Sequence, residues 1–144
     1  MALYYNGYFN ANNYIPITNK DIDLLLSYFK DVRQIPITIE QSKYYRPLDR
    51  LIIPKLEYTN QFYFTIAHEL GHKQNDKLLL FLFRIFPIKA IQIMLEIDAN
   101  KKALKYIHSE LVDDFKEFSN NNLKTYYFNK NSLVSASLSK ESSI

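Results

Sequence analysis

The sequence predicts one α+β domain that is mostly helical, with a short β-sheet or hairpin placed before its central helix. Three observations support this fold class. The chain has 144 residues, the length of a single domain. Apolar residues make up 47% of it, enough for a packed core. One short region of β-type alternation is followed by several segments with helical spacing. We place the domain at residues 1–130 and expect the serine-rich residues 131–144 to form a flexible tail.

The first helix is predicted at about residues 19–32. Ile22, Leu25 and Phe29 recur with the spacing of one helix face. Thr18 stands where a side chain can cap the first turn. These two signals agree on where the helix begins.

Two strands are predicted after this helix, paired as a hairpin in the sheet. Ile35, Ile37 and Ile39 alternate with other residues, and Leu51–Ile53 form a second apolar run. A proline lies within or directly after each run. Since proline lacks a backbone N–H, these strands should lie at a sheet edge or carry their prolines at strand ends.

A second helix is predicted from Thr59 or Asn60, either of which can cap it, to about Gln74. Its apolar residues recur at helical spacing, which predicts one buried face. That predicted face consists of Tyr63, Ile66, Ala67 and Leu70.

The most apolar stretch, Leu78–Leu95, is predicted to form two core helices separated at Pro87. A membrane span is disfavoured because Arg84 and Lys89 would cost about 5–7 kcal/mol in a bilayer, as much as the apolar residues return. The helix after Pro87 should reach about Tyr106. A final amphipathic helix carries Leu111, Phe115 and Phe118 and is predicted to end at Asn120–Asn122.

Composition excludes several kinds of site. The chain has no cysteine, which leaves histidine and carboxylate side chains as metal ligands. Its 18 Lys and Arg residues against 15 Asp and Glu residues are scattered along the chain, so no nucleic-acid partner is predicted. The N-terminus has neither a basic leader nor a sustained apolar run, and we therefore expect a cytoplasmic protein.

The second predicted helix contains the motif HExxH, with His68, Glu69 and His72. Residues four apart on a helix lie about 40° apart around its axis, so both imidazoles can bind one Zn²⁺ from the same side. Glu69 lies beside them, where a general base can take a proton from a zinc-bound water. The motif therefore predicts a zinc site with an adjacent catalytic carboxylate.

A catalytic zinc takes three protein ligands, so a third must lie elsewhere in the chain. Leu78 occupies the position where an extended motif would have a third histidine. Glu96, Asp98 and His108 remain as candidates. We favour Glu96 because Asn100, one turn later, can orient a ligand, whereas Asp98 points to another helix face.

Three further residues bear on the site. Gly71 either lets a strand or a substrate backbone approach the helix closely or has no special role. Ala99 and Ala103 are small enough to let the helix that carries Glu96 pack closely against the HExxH helix. His108 could stabilise an oxyanion, but we expect it at the surface.

The segments TIAHELGH (65–72) and EIDANKKA (96–103) together resemble the gluzincin pattern of HExxH followed by ExxAN. The preceding residues extend the resemblance to the ImmA/IrrE-type metallopeptidases, and a more distant one links the chain to the HtpX/CAAX-prenyl-protease type. The resemblance implies a small zincin-like α+β domain with bound Zn²⁺. It implies His68, His72 and Glu96 as zinc ligands, Glu69 as the catalytic acid and base, and Asn100 as a supporting residue.

Together these features predict a zinc-dependent endopeptidase that hydrolyses a peptide bond in a specific protein partner, such as a repressor or another regulator. The strand before the HExxH helix would offer an edge for an extended substrate. Two alternatives stay open at this point: a binding module that keeps the fold without the activity, and a toxin or effector protease delivered to other cells. Membrane association is not predicted.

Overall fold

A computed structural model describes the backbone of residues 2–3, 17–36 and 41–139, and the side chains of residues 17–36 and 41–125. Within these ranges the chain is α+β and mostly helical, as predicted. The elements in chain order are β1 (Ala2–Leu3), β2 (Ile17–Thr18), α1 (Asn19–Ser27), β3 (Asp31–Gln34), β4 (Lys43–Tyr45), β5 (Arg50–Ile53), α2 (Asn60–Lys73), α3 (Lys77–Ile85), α4 (Lys89–Ala103) and α5 (Val112–Ser139).

Helix α1 begins where the sequence predicts and ends earlier. The hydroxyl of Thr18 accepts a hydrogen bond from the backbone N–H of Asp21, and the Asp21 carboxylate accepts one from the backbone N–H of Thr18 at 2.8 Å. This reciprocal cap fixes the first turn. The prediction that α1 continues to about residue 32 is wrong, because the chain leaves the helix after Ser27 and enters β3. Phe29 is buried from the turn between them, so its apolar character did not require a longer helix.

The main sheet has three strands in the order β3-β5-β4, with β3 parallel and β4 antiparallel to β5. The predicted hairpin of residues 35–39 with Leu51–Ile53 is wrong for the described residues, because β3 runs parallel to β5 and Ile35 continues this pairing by donating its N–H to Ile53 at 2.9 Å. The first strand is β3, which ends before Ile35, and residues 37–40 lie outside the described part of the chain. The tight hairpin is instead β4–β5.

Both prolines lie at strand ends, as predicted. Pro36 follows β3, and Pro54 directly follows β5. The turn of the β4–β5 hairpin contains Asp49, which adopts a left-handed conformation with φ of 48°. Its carboxylate accepts hydrogen bonds from the Tyr44 hydroxyl and the Lys73 ammonium group, both at 2.9 Å, and these bonds hold the turn against the end of α2.

Helix α2 is the centre of the domain and has the predicted bounds. Thr59 caps it by accepting a hydrogen bond from the backbone N–H of Phe62 at 3.1 Å. Its predicted face is buried, and Phe64, on another side, is fully buried against two phenyl rings of α5. Because α2 is buried on several sides, its position is set by α1, α4, α5 and the sheet together. The predicted face, Tyr63, Ile66, Ala67 and Leu70, is at most 2% exposed.

Helices α3 and α4 are separated at Pro87, as predicted, and a short 3-10 turn extends α4 to Tyr106. The prediction that both are core helices is wrong for α3, because none of its side chains is buried. Leu78 and Phe81 are 65% and 55% exposed. Among the described residues, no helix has both the length and the apolar character needed to cross a lipid bilayer.

The apolar residues predicted for helix α5 are buried, but the helix is longer than predicted. Leu111, just before it, and Phe115 and Phe118 within it are buried. The predicted end at Asn120–Asn122 is wrong, since the helix continues to Ser139. Asparagine in an exposed helical position costs only about 0.7 kcal/mol relative to alanine, too little to end a helix anchored by buried aromatic residues. The side chains from residue 126 onwards and the backbone of residues 140–144 lie outside the described part, so the tail at 131–144 stays a prediction.

Candidate metal centre

The two histidines of the HExxH motif and Glu96 meet between α2 and α4. The Nε2 atom of His68 lies 3.0 Å from one carboxylate oxygen of Glu96, and the Nε2 atom of His72 lies 2.9 Å from the other. One ligand atom from each residue falls within 4.8 Å of the other two, so the group could hold a metal ion. Ligand atoms around a tetrahedral zinc ion lie about 3.4 Å apart, which is within the 4.8 Å that separates these ligand atoms at most.

The close approach of α2 and α4 depends on Gly71. A Cβ atom added there would lie 1.9 Å from the carbonyl oxygen of Ala99, well inside van der Waals contact. Ala99 and Ala103 are fully buried at this helix interface, as their small size predicts. What approaches Gly71 is therefore the backbone of α4, rather than the strand or substrate backbone considered above. The close contact of the two helices therefore determines how near Glu96, on α4, lies to the histidines of α2.

The second ring nitrogen of each histidine, Nδ1, contacts the side chain of an asparagine. The Nδ1 atom of His68 lies 2.7 Å from the side-chain oxygen of Asn100, in the supporting position predicted for that residue. The Nδ1 atom of His72 lies 2.9 Å from the side-chain oxygen of Asn75, which the sequence analysis did not single out. An amide oxygen can only accept, so each Nδ1 carries a proton and each Nε2 faces Glu96. Both rings thus present Nε2 to a metal.

Three contacts fix the side chain of Asn75: the contact with His72 and two hydrogen bonds from its nitrogen. Its side-chain nitrogen donates to the carbonyl of Leu95 at 3.1 Å and to the carboxylate of Asp98 at 3.0 Å. Asp98 also accepts from the backbone N–H of Asp76 at 2.8 Å and pairs with Lys102 at 3.2 Å. The rejected ligand candidate Asp98 therefore faces away from the histidines and holds the loop that carries Asn75. A polar side chain three residues after an HExxH histidine is the sequence signal that could have identified Asn75.

We expect Asn75→Ala to weaken zinc binding by about 10- to 100-fold, because residues that orient metal-bound histidines typically contribute that much. Competition with a zinc-chelating dye measures the affinity. Asn121→Ala, an exposed change on α5, is the matched control. Thermal unfolding of the metal-free variants separates a local effect from a loss of folding. An unchanged zinc affinity in folded Asn75→Ala would show that this hydrogen bond does not support the site.

Glu69 lies beside the group in a buried position and is 7% exposed. Burial raises the pKa of its carboxyl above the ordinary value, and the neighbouring Glu96 carboxylate acts in the same direction. The nearby imidazoles and the backbone N–H of Tyr44 in β4 oppose this shift. The side chain therefore combines a raised proton affinity with a position next to the metal ligands, as a general base requires. We call His68, Glu69, His72 and Glu96 the metal-site cluster.

The charges of the ligands depend on one another. Burial alone would lower the pKa of His72, but its hydrogen bond to Glu96 and the charges of Glu69 and Glu96 raise this pKa to about 9. Burial alone would raise the pKa of Glu96, but hydrogen bonds from both histidines lower it to about 2. Without metal, the two side chains form an ion pair at neutral pH.

This ion pair predicts that zinc binding releases a proton. At pH 7 His72 is protonated, and its Nε2 atom can bind a metal only after that proton leaves. Below about pH 9 we therefore expect zinc affinity to rise about tenfold per pH unit, and above it to level off. Calorimetric titration in buffers of different ionisation enthalpy measures the proton count, which should be at least one at pH 7. Zinc binding at pH 7 without proton release would contradict this assignment.

The metal-site cluster opens onto a cleft of about 1010 Å³. Strand β4, the turn after it and residues 54–57 form one side of the cleft, α3 and α4 form another, and α5 contributes Phe118, Asn122 and Thr125. Arg46, on the first side, donates hydrogen bonds to the backbone carbonyls of His72 and Lys73. It thereby caps the C-terminal end of the HExxH helix, a role that no local sequence pattern indicates.

His108 is not part of this cleft. Its ring stacks on Tyr63 with 5.8 Å between the ring centroids, and its Nε2 atom lies 3.3 Å from the Asp21 carboxylate. The structure therefore brings together His68, Glu69, His72, Glu96 and Asn100, and it places His108 elsewhere, as expected.

The fold and the site define an α+β protein in which two histidines and one carboxylate form a group that could hold a metal ion. No family model, curated protein or solved structure matches this chain.

Proposed function

We propose that the protein is a zinc-dependent endopeptidase that hydrolyses a peptide bond in a protein partner. One observation carries this proposal: His68, His72 and Glu96 converge next to the buried carboxylate of Glu69 at the base of an open cleft. A purely structural metal site would be closed by a fourth protein ligand, whereas a catalytic site leaves one position free. The described residues offer three ligands.

Zinc suits this donor set. Two imidazoles and one carboxylate, with no thiolate, are the ligands of many hydrolytic zinc sites. Bound there, zinc would lower the pKa of a water molecule and polarise the scissile carbonyl. His68, His72 and Glu96 would hold it, while Asn75 and Asn100 keep both imidazoles in the orientation that binding needs.

Glu69 performs the proton transfers in this proposal. It accepts a proton from the attacking water and then donates that proton to the nitrogen of the leaving amine. Its burial supports both steps, because a raised pKa lets the same carboxyl group hold the proton between them.

An extended substrate would lie along the outer edge of β4. The sequence prediction assigned this role to the strand before the HExxH helix, but that strand, β5, is the central strand and pairs on both sides. Among the described strands, β4 pairs with β5 alone, and it lies at the cleft. Its outer edge can form backbone hydrogen bonds with an added strand, next to the Tyr44 N–H that already donates to Glu69.

The resemblance of the two motifs to the ImmA/IrrE-type metallopeptidases agrees with this proposal. It adds the expectation that the partner is a regulator such as a repressor. It also includes the supporting residue Asn100, which contacts His68 at the distance of a hydrogen bond.

Metal removal tests the proposed function. The zinc-loaded protein should cleave members of a mixed peptide library, and a chelator such as 1,10-phenanthroline should abolish cleavage. Stoichiometric zinc should restore it. Mass spectrometry of the products measures both results. Cleavage that survives complete removal of metal, or a zinc-loaded protein that cleaves no peptide, would refute the proposal.

A further inference from the structure

The walls of the cleft carry more positive than negative charge outside the metal-site cluster. Lys43, Arg46 and Lys55 line the side formed by the sheet, and Lys89 lines the other side at the start of α4. Among the described lining residues beyond the cluster, the one carboxylate is that of Glu57. Lys43 and Lys55 are exposed and form no ion pair with any described residue. Two unpaired cations therefore face any peptide that enters.

The same cleft has an apolar wall. Leu80 and Phe83 of α3 and Leu95 of α4 line it opposite the sheet. Large apolar side chains at the wall of a cleft gain free energy by covering similar side chains of a ligand. The entering segment should therefore contain large apolar residues as well as acidic ones.

The apolar surface continues from the cleft onto the outer face of α3. Leu78, Phe81 and Ile85 recur on this face and are 65%, 55% and 50% exposed. Phe86 and Ile88, between α3 and α4, are also more than half exposed. An exposed apolar surface of this extent usually marks an interaction site. We call Leu78, Phe81, Ile85, Phe86 and Ile88 the α3 surface.

The charges around the α3 surface restrict what can cover it. Residues 77–95 contain Lys77, Arg84 and Lys89 and no carboxylate, and the preceding carboxylate, Asp76, accepts hydrogen bonds from the first backbone N–H groups of α3. A second copy of this chain would bring two cationic surfaces together, which is unfavourable. A segment with carboxylates beside its apolar residues would complement both the charge and the apolar character.

We propose that the substrate is a protein segment rich in large apolar and acidic residues, which occupies the cleft and extends over the α3 surface. This inference rests on the proposed function, because it names the class of substrate. The cleft and the α3 surface have the same chemistry and share α3, so one continuous segment can occupy both. Lys43 and Lys55 favour carboxylates in the substrate, and the apolar residues of α3 favour its large apolar side chains.

Cleavage profiling tests the cleft. Zinc-loaded full-length protein is incubated with a mixed peptide library of balanced composition, and cleavage sites are identified by mass spectrometry. We expect enrichment of large apolar residues beside the cleaved bond and of Asp and Glu nearby, with depletion of Lys and Arg. Lys55→Glu should reduce the acidic enrichment about tenfold by like-charge repulsion. Lys116→Glu, an exposed change on α5 away from the cleft, should leave it unchanged.

The outcomes of this profiling separate the two proposals. Cleavage without acidic enrichment overturns the inference on substrate class and leaves the proposed function standing. A library that stays intact overturns the proposed function, and binding then decides the substrate class separately.

Binding tests the α3 surface without catalysis. Zinc-loaded Glu69→Gln protein is titrated with two labelled peptides of equal apolar content, one with glutamates and one with lysines in their place. The acidic peptide should bind more tightly, and Phe81→Ser should weaken its binding at least about fivefold. Leu24→Ser is the matched control, because Leu24 on α1 is also 55% exposed.

Three results of the binding experiment would overturn the inference. The first is equal affinity for the acidic and basic peptides. The second is wild-type affinity in Phe81→Ser. The third is loss of peptide binding to competing vesicles of anionic phospholipid, which would identify the α3 surface as a lipid-binding surface.

Discussion

Glu69→Gln should reduce peptide hydrolysis by about 10²- to 10⁴-fold, the usual contribution of a general acid and base. Glutamine has nearly the same shape but cannot accept and return the proton. The three proposed ligands are unchanged, so the variant should still bind one zinc ion per chain. Initial rates on a peptide cleaved by the wild type, together with metal analysis of the same sample, measure both expectations.

Glu117→Gln is the control for this experiment, because it removes one exposed carboxylate of α5 that does not line the cleft. It should retain wild-type activity. If Glu69→Gln retained zinc and wild-type activity, the proton-transfer role of Glu69 would be wrong. If it lost zinc as well, Glu69 would be needed for the structure of the site.

Gly71→Ala should have the largest effect on stability. The added methyl group would meet the Ala99 carbonyl oxygen at 1.9 Å, and a backbone atom cannot move aside without displacing α4. We expect a net loss of at least about 2 kcal/mol, even after the gain of about 1 kcal/mol from helix propensity. The melting temperature should fall by roughly 5 °C or more. Zinc affinity should fall too, since α2 and α4 carry different ligands.

Gln61→Ala provides the control for Gly71→Ala, because it introduces the same residue at an exposed position of the same helix. Its melting temperature should stay close to that of the wild type. A Gly71→Ala protein as stable as the wild type would show that α2 and α4 are not in the close contact described here.

The parts of the fold that depend on local signals were predictable. The cap at Thr59 and the spacing of the apolar residues define α2, and Pro87 separates α3 from α4. The site was predictable for the same reason. HExxH places two imidazoles on one helix face, and Glu96 with Asn100 forms a second pair one turn apart.

Other parts depend on contacts between distant residues. Strand β3 pairs in parallel with β5, and no local pattern indicates a partner about 20 residues away. Phe29 has helical spacing but is buried from a turn. Asn75 has a local signal in its spacing from His72, but the contact of its amide with Leu95 of α4 depends on the packing of distant segments.

For helix α3 the sequence predicted the helix but not the exposure of its apolar side chains. Its apolar residues were assigned to the core because apolar character predicts burial. Periodicity shows which residues share a face, but it does not show whether the domain supplies a surface to cover that face. The side chains of α3 remain outside the core, and this exposure is what indicates a binding surface.

X-ray absorption spectroscopy at the zinc edge, on protein loaded with one equivalent of zinc, directly tests the assignment of His68, His72 and Glu96 as zinc ligands. This assignment predicts two imidazole nitrogens at about 2.0 Å and carboxylate or water oxygens at about 2.0–2.2 Å, with the histidine count reduced to one in His72→Ala. Zinc that does not bind stoichiometrically, or whose spectrum is the same in the wild type and in Glu96→Ala and His72→Ala, would contradict it.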